Sequence, residues 1–211
     1  MTRPHDVSVV AGGPSFGQWL DHNRLPGTVV AINDAALRLM CRVHYAVSMD
    51  RLWTENRWEA LREMRLRQEH PKQFWVRDAA VKNLPEARDL DWVQVFENDN
   101  TTCAPSVFPG VLNGTNSGAC GLNLAIRLFP RRLWLFGFDM GREGKPYWYD
   151  PYPWAPLGKT ANGKYKAWAG QLDILAVLCK ESGIDVVQVG EKSTLPGFRH
   201  MSVQETLECL K

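Results

Sequence analysis

The chain lacks any apolar run long enough to span a membrane. Its first residues, "MTRPHDVSVVAGG", lack the long hydrophobic centre of a secretion signal. Cysteine is scarce and unpatterned. Cys41, Cys103, Cys120, Cys179 and Cys209 are odd in number and show no CxxC spacing, which argues against a disulfide framework and a zinc site. These features predict free thiols and a cytoplasmic protein without a membrane span. Cys120 and Cys179 lie in apolar helical patterns and are expected to be buried. Charge of one sign is also missing: the formal net charge is +2, and the aromatics are not interleaved with a dense basic stripe. Nucleic acid is therefore not an expected partner. The basic stretch "ALREMRLRQEHPK" reads as the solvated face of a helix. There is no internal repeat and no low-complexity tract.

What is present is an ordinary globular balance over 211 residues, 45% apolar and 23% charged, which suits one domain across residues 1–211. "DVSVVA", "TVVAIN", "HYAVSM", "QFWV", "WVQVF", "RLWLFGFDM" and "IDVVQVG" read as strands. Helical patterns fall between and after them. "DAALRLMCR" places Ala35, Leu39 and Met40 on one face, and "RLWTENRWEALREMRLRQEH" does so with Leu52, Trp53, Trp58, Leu61 and Leu66. "NSGACGLNLAIRLF" reads as a buried helix capped by Asn116 or Ser117. "YKAWAGQLDILAVLCKESG" carries a Trp168, Leu172, Leu175, Leu178 stripe, and "SVQETLECLK" closes the chain. Continuously apolar strands alternating with helices predict a Rossmann-like α/β fold, mostly parallel, with helices on both faces. One stretch breaks the rhythm. Residues 141–164 carry four prolines and many aromatics, and read as a long lid-like loop insertion.

In open α/β sheets, ligands bind beyond the carboxyl ends of the strands, where strand order reverses. Here those ends read "GGPS", "IND", "SMD" and "GFDM". Gly12 and Gly13 free the backbone to turn and to present N–H groups, and Pro14 and Ser15 lead directly into a helix whose N-terminus favours an anion. Ser15 suits a helix cap or a phosphate contact. Asn33 and Asp34 suit a ribose, a base or a cap. Asp50 suits a metal, a hydroxyl or a cap. Asp139 ends a very apolar strand, where a carboxylate needs a partner. Asn116, Ser117 and Gly118 form a second polar turn into a helix, suited either to a second anion or sugar contact or to close packing.

Taken in order, "VVAGGPSF", "VVAINDAAL", "HYAVSMD" and "GTNSGACGLNLAIRLFPRRLWLFGFDM" resemble a widespread domain of unknown function. That domain includes motility accessory factors implicated in flagellin glycosylation and archaeal 6-hydroxymethylpterin diphosphokinases. The "GPS" loop, the Ser-Gly helix start and the "G-x-D" strand end are also similar to bacterial sialyltransferases that use CMP-sialic acid. Phage-borne relatives look nearest, which would make the location a host cytoplasm. The likeness covers roughly residues 7–150 and resumes at "GIDVVQVGEKSTLPGF".

The resemblance implies a nucleotide-binding transferase with a nucleotide-sugar donor and no certain cofactor. It places Gly12, Gly13, Pro14 and Ser15 at the phosphates and Asn33 at the nucleotide or sugar. Ser117 and Gly118 would match the sialyltransferase-like helix start, and Asp139 the "G-x-D" end. Tyr147, Tyr149 and Tyr152 occupy the region of the phosphate-steadying tyrosines. The chain departs from the sialyltransferases in having no histidine between His70 and His200. Asp139 or Asp150 is then left as candidate base, with Tyr147, Tyr149, Lys159 and Lys164 receiving phosphate charge. The aromatics from Tyr147 to Trp154, with Trp168, suit either a sugar-stacking wall or packing of the loop. A second reading is a diphosphokinase in which Asp50 and Asp139 hold Mg²⁺. A third is a non-catalytic phage accessory protein that binds a nucleotide or a protein partner. Oligomerisation is left open.

Overall fold

The structure, a computed structural model, describes residues 5–22, 24–39, 43–67, 71–106, 108–139, 162–192 and 194–211. Among the described residues, eight strands form one sheet: β1 (Asp6–Val10), β2 (Thr28–Ile32), β3 (Tyr45–Ser48), β4 (Gln73–Arg77), β5 (Val93–Phe96), β6 (Arg132–Phe136), β7 (Asp185–Val189) and β8 (Arg199–Met201). Their spatial order is β5-β4-β3-β2-β1-β6-β7-β8, and every pairing is parallel. This is the expected Rossmann-like α/β architecture. Strand order reverses beside β1, which lies between β2 and β6.

Both faces of the sheet are covered, which explains why β1, β2, β6 and β7 are buried along almost their whole length. One face packs against α1 (Ala35–Arg38), α2 (Arg51–Leu66), α5 (Val203–Cys209) and a 3₁₀ helix over Pro14–His22. Its core joins Phe16, Trp19, Trp53, Trp58, Phe74 and Phe136. The other face packs against α3 (Ser117–Arg127) and α4 (Asn162–Glu181) through Leu122, Leu124, Leu172 and Leu175.

Four local expectations change. The segment after Gly12-Gly13 is a 3₁₀ helix, opened by Pro14. The helix expected from Asp34 is a single turn that ends when Leu39 becomes extended at ψ 126°; Met40 lies outside the described residues. In α2 the buried arc holds Trp53, Thr54, Trp58 and Leu61, while Leu52 and Leu66 are exposed. Backbone helix begins at Asn162, so α4 takes the last three residues assigned to the 141–164 loop; the rest of that loop lies outside the described residues. Strand β8 has no β-rich signal in the sequence, as befits a three-residue edge strand with exposed Arg199.

A long connection, residues 97–116, carries the chain from β5 back across the sheet to α3. It has little secondary structure, so side chains satisfy its backbone. Asn98 Nδ2 donates to the carbonyls of Leu112 and Gly114, and Asn123 Nδ2 donates to that of Cys103. Arg127 donates to the carbonyls of Ser106, Phe108, Pro109 and Val111. The connection is thereby fastened to α3, which fixes where that helix begins.

Cys103, Cys120 and Cys179 are buried, and Cys209 is exposed. Burial raises all three buried thiols, Cys120 and Cys179 to about 12. The unfolded thiols ionise first, near 9, so stability must fall as pH rises above that value. The loss at pH 10 should be about 1 kcal/mol for each of Cys120 and Cys179. Urea unfolding at pH 8 and pH 10 measures it, and a Cys120→Ala/Cys179→Ala chain should lose less. In a Cys41→Ser background, a thiol reagent at pH 8 should label only Cys209 until the chain unfolds.

Candidate functional site at the carboxyl edge

Because all strands run the same way, the polar strand ends are brought to one edge of the sheet. At the reversal point, the segments after β1 and β6 run side by side. Ala11 N donates to Phe136 O at 2.8 Å, Gly13 N to Gly137 O at 2.9 Å, and Ser15 N to Asp139 Oδ2 at 3.0 Å. Alternate amides of the Gly-rich turn are thus held by the end of β6. A Cβ on Gly13 would lie 2.1 Å from Asp139 Oδ2 and 2.5 Å from Gly137 O, so the position admits only glycine. Gly137 has φ +70°, the left-handed backbone glycine tolerates.

Asp139 finds its partner here. Its carboxylate occupies the N-terminus of the 3₁₀ helix, the place a bound anion would take. Among the described residues, the Gly12 N–H meets no acceptor and the Ser15 hydroxyl has no hydrogen-bond partner. Ser15 lies against Gly190 at the end of β7. Two donors of the predicted phosphate loop remain open, and one is filled from within.

The end of β2 is held as firmly. Asn33 stands at φ +50°, unusual for any residue but glycine. Its N–H donates to Val47 O and its carbonyl accepts from Ala36 N. Its Oδ1 is buried without a partner. Asp34, predicted as a nucleotide contact, has no side-chain atom at the surface and serves the protein interior instead. Its oxygens accept from Trp53 Nε1 at 2.7 Å, from Arg57 Nε and Nη2 at 3.0 and 3.2 Å, and from Arg38 Nε at 3.3 Å. This network ties α2 to the end of β2 and holds the turn that sets Asn33. No sequence signal joins Asp34 to residues 19 and 23 positions further on.

The start of α3 closes over the same edge. Asn116 caps the helix, its Oδ1 accepting from Ala119 N at 3.0 Å, which fixes the amide's orientation and leaves Nδ2 buried without a partner. Ser117 Oγ accepts from Met49 N at 3.1 Å, joining the helix start to the end of β3. A Cβ on Gly118 would press on the Phe138 ring at 3.3 Å, so this glycine permits close packing on the end of β6. Thr115 donates to Gln171, linking this turn to α4. Gln188 and Thr194 both donate to Phe138 O and steady the approach to Asp139.

Asp50 caps α2 by accepting from Trp53 N at 3.1 Å. It follows β3, whereas Asp139 follows β6, three inter-strand spacings away, or about 14 Å. Among the described residues no three His, Cys, Asp or Glu side chains come together as a metal site. Tyr147, Tyr149, Asp150, Tyr152, Trp154 and Lys159 lie outside the described residues, as does the side chain of Lys164. Trp168 packs edge-on against Tyr165 in the first turns of α4.

The fold has close structural counterparts. The sialyltransferase CST-II in complex with a trisaccharide acceptor and CMP aligns with a TM-score of 0.58 at 17% identity, covering 93% of this chain and 85% of that one. CstII from Campylobacter jejuni in complex with CMP-3FNeuAc aligns at 0.57 and 14% identity, over 94% and 86%. The monofunctional α-2,3-sialyltransferase Cst-I from Campylobacter jejuni aligns at 0.59 and 12% identity, over 94% and 80%. No family model matches the chain, and no curated protein matches it in sequence.

The contact between Gly13 and Asp139 predicts coupled energetics. Gly13→Ala should cost about 2–4 kcal/mol in urea unfolding, through overpacking at fixed backbone. In an Asp139→Ala background the same change should cost at least about 1 kcal/mol less, because Gly137 O remains but the carboxylate is gone. Strict additivity would refute the contact. Asp34→Ala should cost about 2–4 kcal/mol, since it removes the acceptor of a buried indole N–H and of the Arg57 and Arg38 hydrogen bonds.

Proposed function

We propose that this chain is a glycosyltransferase-like protein that takes a nucleotide-sugar donor, with a cytidine sugar nucleotide as the first candidate. The observation that carries the reading is the set of unpartnered groups at the carboxyl edge: Asn33 Oδ1, Asn116 Nδ2, the Gly12 N–H and the Ser15 hydroxyl. Asn33 Oδ1 offers a buried acceptor and Asn116 Nδ2 a buried donor; Asn98, Asn113 and Asn123 Oδ1 are unpartnered too, so it is the placement of the first two at this edge, beside the open turn, that points to a ligand. They flank the strand reversal where α/β folds take ligands. The fold likeness to sialyltransferases solved with CMP supports this choice of ligand.

In this reading the fixed amides orient the nucleotide, while Gly12 N–H and Ser15 Oγ meet a phosphate oxygen. Transfer needs a base for the acceptor hydroxyl and stabilisation of the departing phosphate. Asp139, bound to Ser15 N, acts as an organiser of the loop. That leaves Asp150 as the candidate base and Tyr147, Tyr149, Lys159 and Lys164 as candidates to receive phosphate charge. The histidine gap favours a second reading, a protein that binds the nucleotide without turnover.

A thermal-shift panel of CMP, UMP, GMP and ATP, each with and without Mg²⁺, tests ligand class. CMP at 100 times its Kd should stabilise by about 2.7 kcal/mol, a rise of about 5–10 °C for a chain this size, and should not need Mg²⁺. Asn33→Gly suits the φ of that site and should leave Tm nearly unchanged while weakening CMP at least tenfold. Asn116→Asp keeps the helix cap but removes the Nδ2 donor, with the same expected loss. No response to any nucleotide sinks the proposal. Binding of CMP without consumption of CMP-sialic acid, across a set of sugar acceptors, selects the second reading.

A further inference from the structure

Helix α4 buries one side against the sheet through Leu172, Leu175 and Cys179. Its opposite side has an unusual composition. Ile174 and Val177 are 54% and 57% exposed. Gly170 stands between them and the helix start, in mid-helix, where glycine is about 1 kcal/mol worse than alanine. The fold supplies no reason for it: a Cβ built on Gly170 meets nothing within 4 Å. The helical glycines of α3, Gly118 and Gly121, by contrast each relieve a contact. A glycine with open space above it, beside two exposed β-branched residues, fits a surface approached closely by another backbone.

The charges identify that partner. Lys166 and Glu181 are exposed at opposite ends of the same face, and among the described residues neither has an ion-pair partner. At 100° per residue, Lys166, Gly170, Ile174, Val177 and Glu181 fall within about 80° of arc. Consider a second α4 laid antiparallel with a two-fold axis between Asp173 and Ile174. Lys166 of each copy then meets Glu181 of the other, and each Val177 meets the open space over a Gly170. Both the charge pairing and the large-to-small pairing follow from one register. A surface complementary to itself under a two-fold rotation is the requirement for an isologous dimer. Asp173, next to the axis, is already engaged by Gly197 N.

We infer that α4 is a self-association surface, on which a second copy of this chain packs antiparallel through Gly170, Ile174 and Val177, with Lys166–Glu181 ion pairs at both ends. One helix pair is a small interface, so the dimer is weak. The inference stands independently of any nucleotide.

Sedimentation velocity on the full chain from about 1 to 200 µM tests it. A monomer–dimer equilibrium is expected. K166E and E181K each place like charges opposite one another twice, and each should weaken the dimer about tenfold or more. Mixed together, the two single variants should associate, because the heterodimer satisfies both ion pairs. The K166E/E181K double variant should recover the parental affinity. Gly170→Ala should raise Tm, as helix propensity dictates, yet weaken association; Ile174→Glu should abolish it. A chain that stays monomeric at 200 µM overturns the inference. So does a dimer indifferent to the charge reversals, or a mixture of single variants that fails to associate.

Discussion

The pairing of the turn after β1 with the end of β6 sets the geometry of everything around it. Ala11, Gly13 and Ser15 donate in turn to Phe136 O, Gly137 O and Asp139 Oδ2, so the ladder continues past both strands into what would otherwise be free loops. This is possible only because Gly13 carries no side chain where the Asp139 carboxylate sits. The same approach places Phe138 against Gly118, seating the start of α3, and it brings Ser15 to Gly190 at the end of β7. Three crossovers thus converge on one contact between a missing methyl group and a carboxylate oxygen.

Asp34 plays the corresponding part at β2. A buried carboxylate with one indole and two guanidinium groups around it is a fully partnered charge, so removing the carboxylate takes the acceptor from the whole network. Its neighbour Asn33 holds a left-handed backbone, a conformation that costs of order 1 kcal/mol or more and persists where its surroundings fix it. Two helices and the third strand supply that fixing, through Trp53, Arg57, Ala36 and Val47. The strained amide is therefore positioned by two helices and a strand packed around it.

How much of this could be read from the sequence follows from which forces are local. Continuously apolar runs such as "LWLF" and "VVAI" announce parallel strands buried on both faces, and the parallel sheet alone dictates that "GGPS", "IND", "SMD" and "GFD" share an edge. Caps were legible too: Asn116 and Asp50 act within four residues. The role of each polar residue was not legible, because it depends on long-range partners. Asp34 and Asp139 look equivalent in sequence, each a carboxylate after an apolar strand. One is buried by a helix that begins 17 residues later, and the other faces a turn 124 residues earlier. The β8 edge, held by pairing to β7 rather than by its own residues, left no local signal either.

The internal carboxylate also bears on which nucleotide the edge can accept. A phosphate about 5 Å from Asp139 would feel a repulsion of roughly 3 kcal/mol per charge at an effective dielectric near 20. The groups left open around β1, β2 and the start of α3 are neutral: an amide N–H, a hydroxyl and two carboxamides. Neutral donors beside a carboxylate can hold a single phosphodiester charge. They cannot balance the several charges of a nucleoside triphosphate without added cations, and the strands that Asp50 and Asp139 follow lie about 14 Å apart. On the proposed reading, the neutral groups of the described edge suit a sugar nucleotide joined through one phosphate better than ATP.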